Sequence, residues 1–132
     1  MQDTPVNDMT AVDILPIRGA VYDFATLLAD TREFQCFEMA SNVLKHDAAA
    51  QRSIHAYQTK YEALRIMLML NAVSLDDHAE LADLEQAFLA DPAVNSYLQA
   101  EANLRVLCQT IAVVLSDRIG LDFAAACGSG CC

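Results

Sequence analysis

Three of the five cysteines in the chain fall within its last six residues, in the order Cys127-Gly128-Ser129-Gly130-Cys131-Cys132. Cysteine thiolates are soft ligands for zinc and for iron–sulfur clusters, and two glycines between them let the backbone wrap a bound group and aim amides at its sulfurs. Three thiolates are one short of four. A closed zinc site would need a second Cys-x2-Cys or Cys/His pair, and the sequence contains none. A [4Fe-4S] cluster completed by another chain therefore suits Cys127, Cys131 and Cys132 better than zinc, which is the alternative metal. A frayed tail that oxidises or takes up metal adventitiously explains the same residues equally well. A redox disulfide between Cys127 and Cys131 ranks third.

The remaining chemistry is sparse. A terminal Cys-Cys is also the form of a lipid-modification signal, but no phosphate-binding glycine loop accompanies it, as it would in a small GTPase. Cys108 shares a helical stripe with Leu104 and Ile111, and Cys36 stands beside Phe37, so both read as small buried hydrophobes. A di-iron centre needs Glu-x-x-His pairs, and none of His46, His55 or His78 has an acid three residues before it. His46 and His78 read as solvated or capping residues. Glu101 interrupts the apolar stripe between Tyr97 and Leu104, where an unpaired carboxylate is costly. Arg65, Arg105 or a subunit boundary would satisfy it. With no Gly-x-Ser-x-Gly elbow and no Walker loop, no active site assembles from these residues, and the expectation is a protein that is not an enzyme.

The elements that must position the tail come from a chain of 132 residues, 55% apolar and 20% charged. That is one domain's length, enough to bury about two-thirds of the surface exposed on unfolding. Eighteen acids against eight bases leave a net charge of −10. Such a surface repels phosphate backbones and anionic lipid, so direct binding to nucleic acid or membrane is not expected. The longest apolar stretch, Ala63 to Val73, is interrupted by Arg65 and Asn71 and falls short of a bilayer span. The N-terminus has no basic region leading into an apolar one. The expected location is cytoplasmic, where five cysteines do not form a disulfide framework.

Hydrophobic spacing predicts an all-α fold, a five-helix bundle with two long helices and a short cysteine-rich C-terminal tail. Residues 1–16, ending at Pro16, read as a flexible leader. Ile17, Val21, Phe24 and Leu28 then define a first helix. Asp30 or Thr31 caps the second, Asp30 with Glu33 having the form of a capping box, and Phe37, Ala40 and Leu44 are its stripe. Asp47 opens a long helix to about Val73, carried by Ile54, Tyr57, Tyr61, Leu64 and Leu68. Its end, through Ile66, Met67, Met69 and Leu70, is apolar all round and must be covered by the rest of the fold or by another subunit. These four residues are the predicted interface. Ser74 starts a helix whose outer face is strongly acidic and whose stripe is Leu81, Leu84 and Phe88. Asp91-Pro92 starts the last, through Val94, Tyr97, Leu104, Cys108, Ile111 and Leu115, and Gly120 ends it.

In this form the sequence resembles the YlbF/YmcA group of small helical bacterial regulators, in the branch that carries C-terminal cysteines. The likeness rests on Leu27-Leu28-Ala29-Asp30-Thr31-Arg32-Glu33-Phe34, on residues 48–57, and on the run from Asp91-Pro92-Ala93-Val94 to Gln99-Ala100-Glu101, within a helical domain over residues 17–120 that precedes the tail of residues 121–132. The resemblance implies a non-enzymatic regulatory adaptor that forms homo-oligomers or assembles with related helical subunits. It implies a further regulatory protein as partner, action on competence, sporulation and biofilm decisions, and adaptation of an endoribonuclease for RNA maturation. Carried over by position, Cys127, Cys131 and Cys132 would be the cluster ligands. A stand-alone redox or metal sensor and a plain oligomeric scaffold are the alternative functions.

Overall fold

The computed structural model describes residues 7–127, with side chains from Ile14 onward. Among these residues the chain is helical with no strand: α1 (Asn7–Ala29), α2 (Arg32–His46), α3 (Ala48–Met69), α4 (Leu75–Leu89), α5 (Pro92–Ile119) and α6 (Phe123–Cys127). Capping chemistry places most of the boundaries. Thr31 Oγ1 accepts from the Phe34 amide at 3.3 Å and donates to the Leu28 carbonyl at 2.6 Å, so Thr31, not Asp30, opens α2. Asp47 accepts from the Ala50 amide at 2.9 Å, Ser74 from Asp77 at 3.1 Å, and Asp91 from Ala93 at 2.8 Å. Each satisfies an amide that the first helical turn leaves without an intrahelical partner.

Three boundaries differ from those expected. The first helix begins at Asn7 and runs through Pro16, so residues 7–16 are helical rather than leader. Proline removes one amide donor from the ladder, and here the helix continues across that gap. The long helix stops at Met69, short of Val73, because Asn71 takes a left-handed conformation (φ 54°). The Ala72 amide donates to the Met67 carbonyl (2.9 Å) and the Asn71 amide to Leu68 (3.2 Å), the two bonds of a Schellman cap. The tail also begins as a sixth helix. Asp122 accepts from the Ala125 amide at 3.1 Å, and three alanines, the best helix formers, follow Phe123.

Helix α2 packs along α5, and α3 packs along α4. Phe37 meets Tyr97 with ring centroids 5.5 Å apart, and Tyr57 meets Phe88 at 4.9 Å. Where the four helices converge, Ala50, Ala93 and Val94 are buried, with Leu44, Ile54 and Phe88 packed against them. Among the described residues the buried set is small: those three with Leu64 and Ala100. Many large apolar side chains among the described residues are exposed.

Unequal helix lengths leave some of these side chains uncovered. Helix α5 is about 42 Å long and α2 about 22 Å, so the far end of α5 overhangs its partner. Val113, Val114, Leu115 and Ile119 on that overhang are exposed. Helix α1 packs on α2, and Ile14, Ile17, Val21 and Phe24 are exposed along it.

Candidate functional site

The candidate features of this fold are uncovered apolar surfaces and a cysteine at the end of α6. Ile66, Met67, Met69 and Leu70 all lie exposed at the α3–α4 hairpin, Met69 at 82% of its full area. Leu64 and Leu68 face inward on the same helix, one buried and the other half-buried. Leu75, across the hairpin from Met69 and Leu70, is exposed at 87% and extends the apolar tip. The rest of the fold thus leaves the tip uncovered.

Two further apolar surfaces are uncovered where sequence spacing did not place an interface. One is the α1 stripe already described. The other flanks the α2–α5 packing, where Met39 and Val43 on α2 and Val106 on α5 are exposed. An open groove of about 560 Å³ lies beside them, lined by Arg32, Glu33 and Cys36 from α2 and by Asn103, Val106, Leu107 and Thr110 from α5. Cys36 and Cys108 are both exposed, which corrects the expectation that they are buried. The inward line of α5 passes through Tyr97, Ala100, Leu104, Leu107 and Ile111, and Cys108 lies one position off it. The signal for these surfaces was present as Cys36, Met39 and Val43 at spacings of three and four, outside the stripe assigned to α2.

At the C-terminal end, Gly120 (φ 72°) closes α5. The Phe123 amide donates to Ser116 Oγ at 3.1 Å, which ties the start of α6 back onto α5. Cys127 is exposed at the last residue of that helix. Cys131 and Cys132 lie outside the described residues. Among the described residues no three His, Cys, Asp or Glu side chains converge as a metal-binding group. The donor set still suits an iron–sulfur group, because thiolate is its preferred ligand and Cys127 is held at an exposed helix end. Further ligands would come from Cys131 and Cys132 and from another chain.

Several charged residues make structural contacts. Lys60, 22% exposed, bridges Asp77 and Glu80 at 2.8 Å each and so clamps α3 to the acidic α4. The hydrogen bonds that Lys60 donates to Asp77 and Glu80 hold its ammonium above its ordinary pKa, and Lys60 together with Ser74 holds Asp77 below its own. The Tyr57 hydroxyl is pushed up by burial and by Glu85. Glu101 is satisfied by Arg105 at 3.0 Å one turn later, the favourable order for such a pair. His46 Nδ1 donates to the Asn42 carbonyl at 2.7 Å within the last turn of α2, and His78 is exposed.

Comparison with known proteins places the chain in a family. A family model described as control of competence regulator ComK, YlbF/YmcA, matches residues 17–120, most of the chain. The chain belongs to the YlbF/YmcA family. It is also similar to a UPF0342 protein from Caldicellulosiruptor bescii, 27% identical over 99 residues that cover 74% of this chain and 83% of the relative. No solved structure matches. The match begins at Ile17, so residues 7–16 of α1 precede the region that the YlbF/YmcA model covers. Cys127, Cys131 and Cys132 follow that region. The family description is that of a regulator and names no reaction. Among the described residues no helix is long and apolar enough to cross a membrane.

Proposed function

We propose that this YlbF/YmcA protein is a non-enzymatic regulatory adaptor that works as an oligomer and acts through protein partners. The observation that carries the proposal is the surface left uncovered. Large apolar side chains lie exposed along α1, at the α3–α4 tip and on α2 and α5, among them Val21, Met69, Met39 and Val106. Soluble monomers rarely keep contiguous apolar patches above a few hundred Å², and larger ones mark sites of interaction. The apolar tip at Ile66, Met67, Met69 and Leu70 is one docking surface, for a related helical subunit or a further regulatory protein. An endoribonuclease is the proposed downstream partner, reached by protein contact because a chain of charge −10 does not attract RNA. The setting is the cytoplasm.

The cysteine tail is proposed to give this assembly a [4Fe-4S] cluster, with Cys127, Cys131 and Cys132 as ligands and the fourth from another chain, from Cys108 or from a non-protein group. Bound there, the cluster would supply an oxygen-sensitive group that links the tail to the rest of the complex. The test of the adaptor reading is capture from the native host under anaerobic conditions with the intact chain and with Met67→Asp. Recovery of related helical subunits or an endoribonuclease with the first and their loss with the second support the reading. Equal recovery with both contradicts the docking surface.

A further inference from the structure

Helix α4 presents an apolar line bordered by unanswered negative charge. Leu81, Leu84 and Phe88 are half-buried and mark its inward side. At about 3.6 residues per turn, Leu75, Ala79, Ala82 and Leu89 fall on the opposite side, and all four are exposed. Leu75, 87% exposed, joins this line to the tip at Met69 and Leu70. Asp76, Glu80 and Asp83 recur at spacings of four and three along one edge of the line. Lys60 takes Glu80 together with Asp77. Asp76 and Asp83 make no ion pair among the described residues, and residues 74–91 contain no Lys or Arg that could answer them.

Charge selects what can cover this face. Nucleic acid and anionic lipid carry the wrong sign. So does a second copy, which brings a net charge of −10 and has three of its eight bases, Lys60, Arg65 and Arg105, already paired with its own acids. The face calls for apolar side chains over Leu75 and Leu89 and for cations beside Asp76 and Asp83, which a basic amphipathic helix supplies together. Ala79 and Ala82 keep the middle of the line low, so that a second helix axis can come close. At 15 residues, α4 offers about 22 Å, four turns of such a helix.

We propose that the outer face of α4 docks a basic amphipathic helix of a partner protein, its apolar stripe over Leu75, Ala79, Ala82 and Leu89 and its Lys or Arg side chains against Asp76 and Asp83. The inference rests on the reading that the chain acts through protein partners, and it gives the chemistry of the segment that one partner presents.

The probe is a fluorescent synthetic helix of Leu and Lys, with Leu at spacings of three and four, titrated with the full chain and followed by anisotropy. Two comparison peptides carry Glu in place of every Lys or Ser in place of every Leu. The Leu/Lys peptide should bind and the other two should not. Asp76→Asn with Asp83→Asn should weaken binding about fivefold, as the loss of two exposed charge pairs requires. The same change of net charge at Glu38→Gln with Asp117→Asn, both exposed and outside α4, should leave it unchanged at physiological salt. Leu75→Ser should weaken it as well, and Asp76→Lys with Asp83→Lys should transfer the preference to the Leu/Glu peptide, with helical content retained by circular dichroism in every variant. Equal weakening by the two neutralised pairs would show that net charge alone attracts the peptide, and would overturn the docking face. Binding indifferent to Leu75→Ser, or no binding of the Leu/Lys peptide, would overturn it too. Each of these results leaves the adaptor reading intact if capture from the host still depends on Met67, and that reading fails separately if it does not.

Discussion

Leu64 and Met69 stand five residues apart on α3 and should respond oppositely to truncation. Leu64 is 6% exposed, whereas Met69 is 82% exposed at the hairpin tip. Removing the Leu64 side chain beyond Cβ forfeits its transfer free energy and leaves a cavity. Leu-to-Ala changes in cores cost about 2–5 kcal/mol. The core here is thin and its neighbours half-exposed, so the site can partly collapse, and about 3 kcal/mol is the expected loss. With a urea slope of about 2 kcal/mol/M, that moves the unfolding midpoint down by about 1.5 M at unchanged slope. Met69→Ala should change the unfolding of the isolated chain by less than about 0.5 kcal/mol, the usual range for surface positions. Urea titrations of both variants at several protein concentrations check this. A loss below about 1 kcal/mol at Leu64 would refute its burial in the core. A cost at Met69 as large as that at Leu64, and independent of concentration, would show that the tip packs within one chain.

Further expectations follow from the caps, charges and tail. Asp91→Ala should cost about 1 kcal/mol by leaving the Ala93 and Val94 amides uncapped, and Asp91→Asn should restore most of it, as thermal unfolding would show. Asp77 has a lowered folded pKa, so its stabilisation is present above its ordinary value of 3.8 and is lost as pH falls through the lower folded value. Lys60 has a raised one, so its stabilisation is present below its ordinary value of 10.5 and is lost as pH rises through the higher folded value. Lys60→Met should flatten both limbs of a stability–pH curve, and an unchanged curve would show that the bridge does not form in solution. Cys127→Ser or Cys131→Ser should remove most of the iron and brown colour from protein made without oxygen, whereas Cys36→Ser should leave both; colourless metal-free wild type would defeat the ligand assignment, and stoichiometric zinc would redirect it.

Much of the scaffold was legible in the sequence because capping is local chemistry. Asp47, Ser74, Asp91 and Gly120 mark helix ends in the structure as their side chains or φ preferences require. The inward stripes of α3 and α4 were legible for the same reason, since spacing of three and four fixes one face. Pro16 misled, because a proline inside a helix looks like a boundary. The three alanines after Phe123 were a helix signal obscured by the cysteines that follow. Burial was the least legible quantity. The first-helix stripe at Ile17, Val21 and Phe24 and the flank at Cys36, Met39 and Val43 have the pattern of core, and a single sequence does not reveal whether the covering atoms belong to the same chain. For the cysteine site, sequence supplies the donor types and the fold adds only the position of Cys127 at the end of α6.

Multi-angle light scattering of the purified full chain across a range of micromolar concentrations bears most directly on the central claim. The account predicts a mass of at least twice the 14.4 kDa chain. It also predicts a fall toward the single-chain mass when Val21→Asp and Val106→Asp place charge on the two uncovered surfaces, with helical content retained by circular dichroism. A single-chain mass at every concentration, from protein that is folded and recovers no partner from its host, would contradict it.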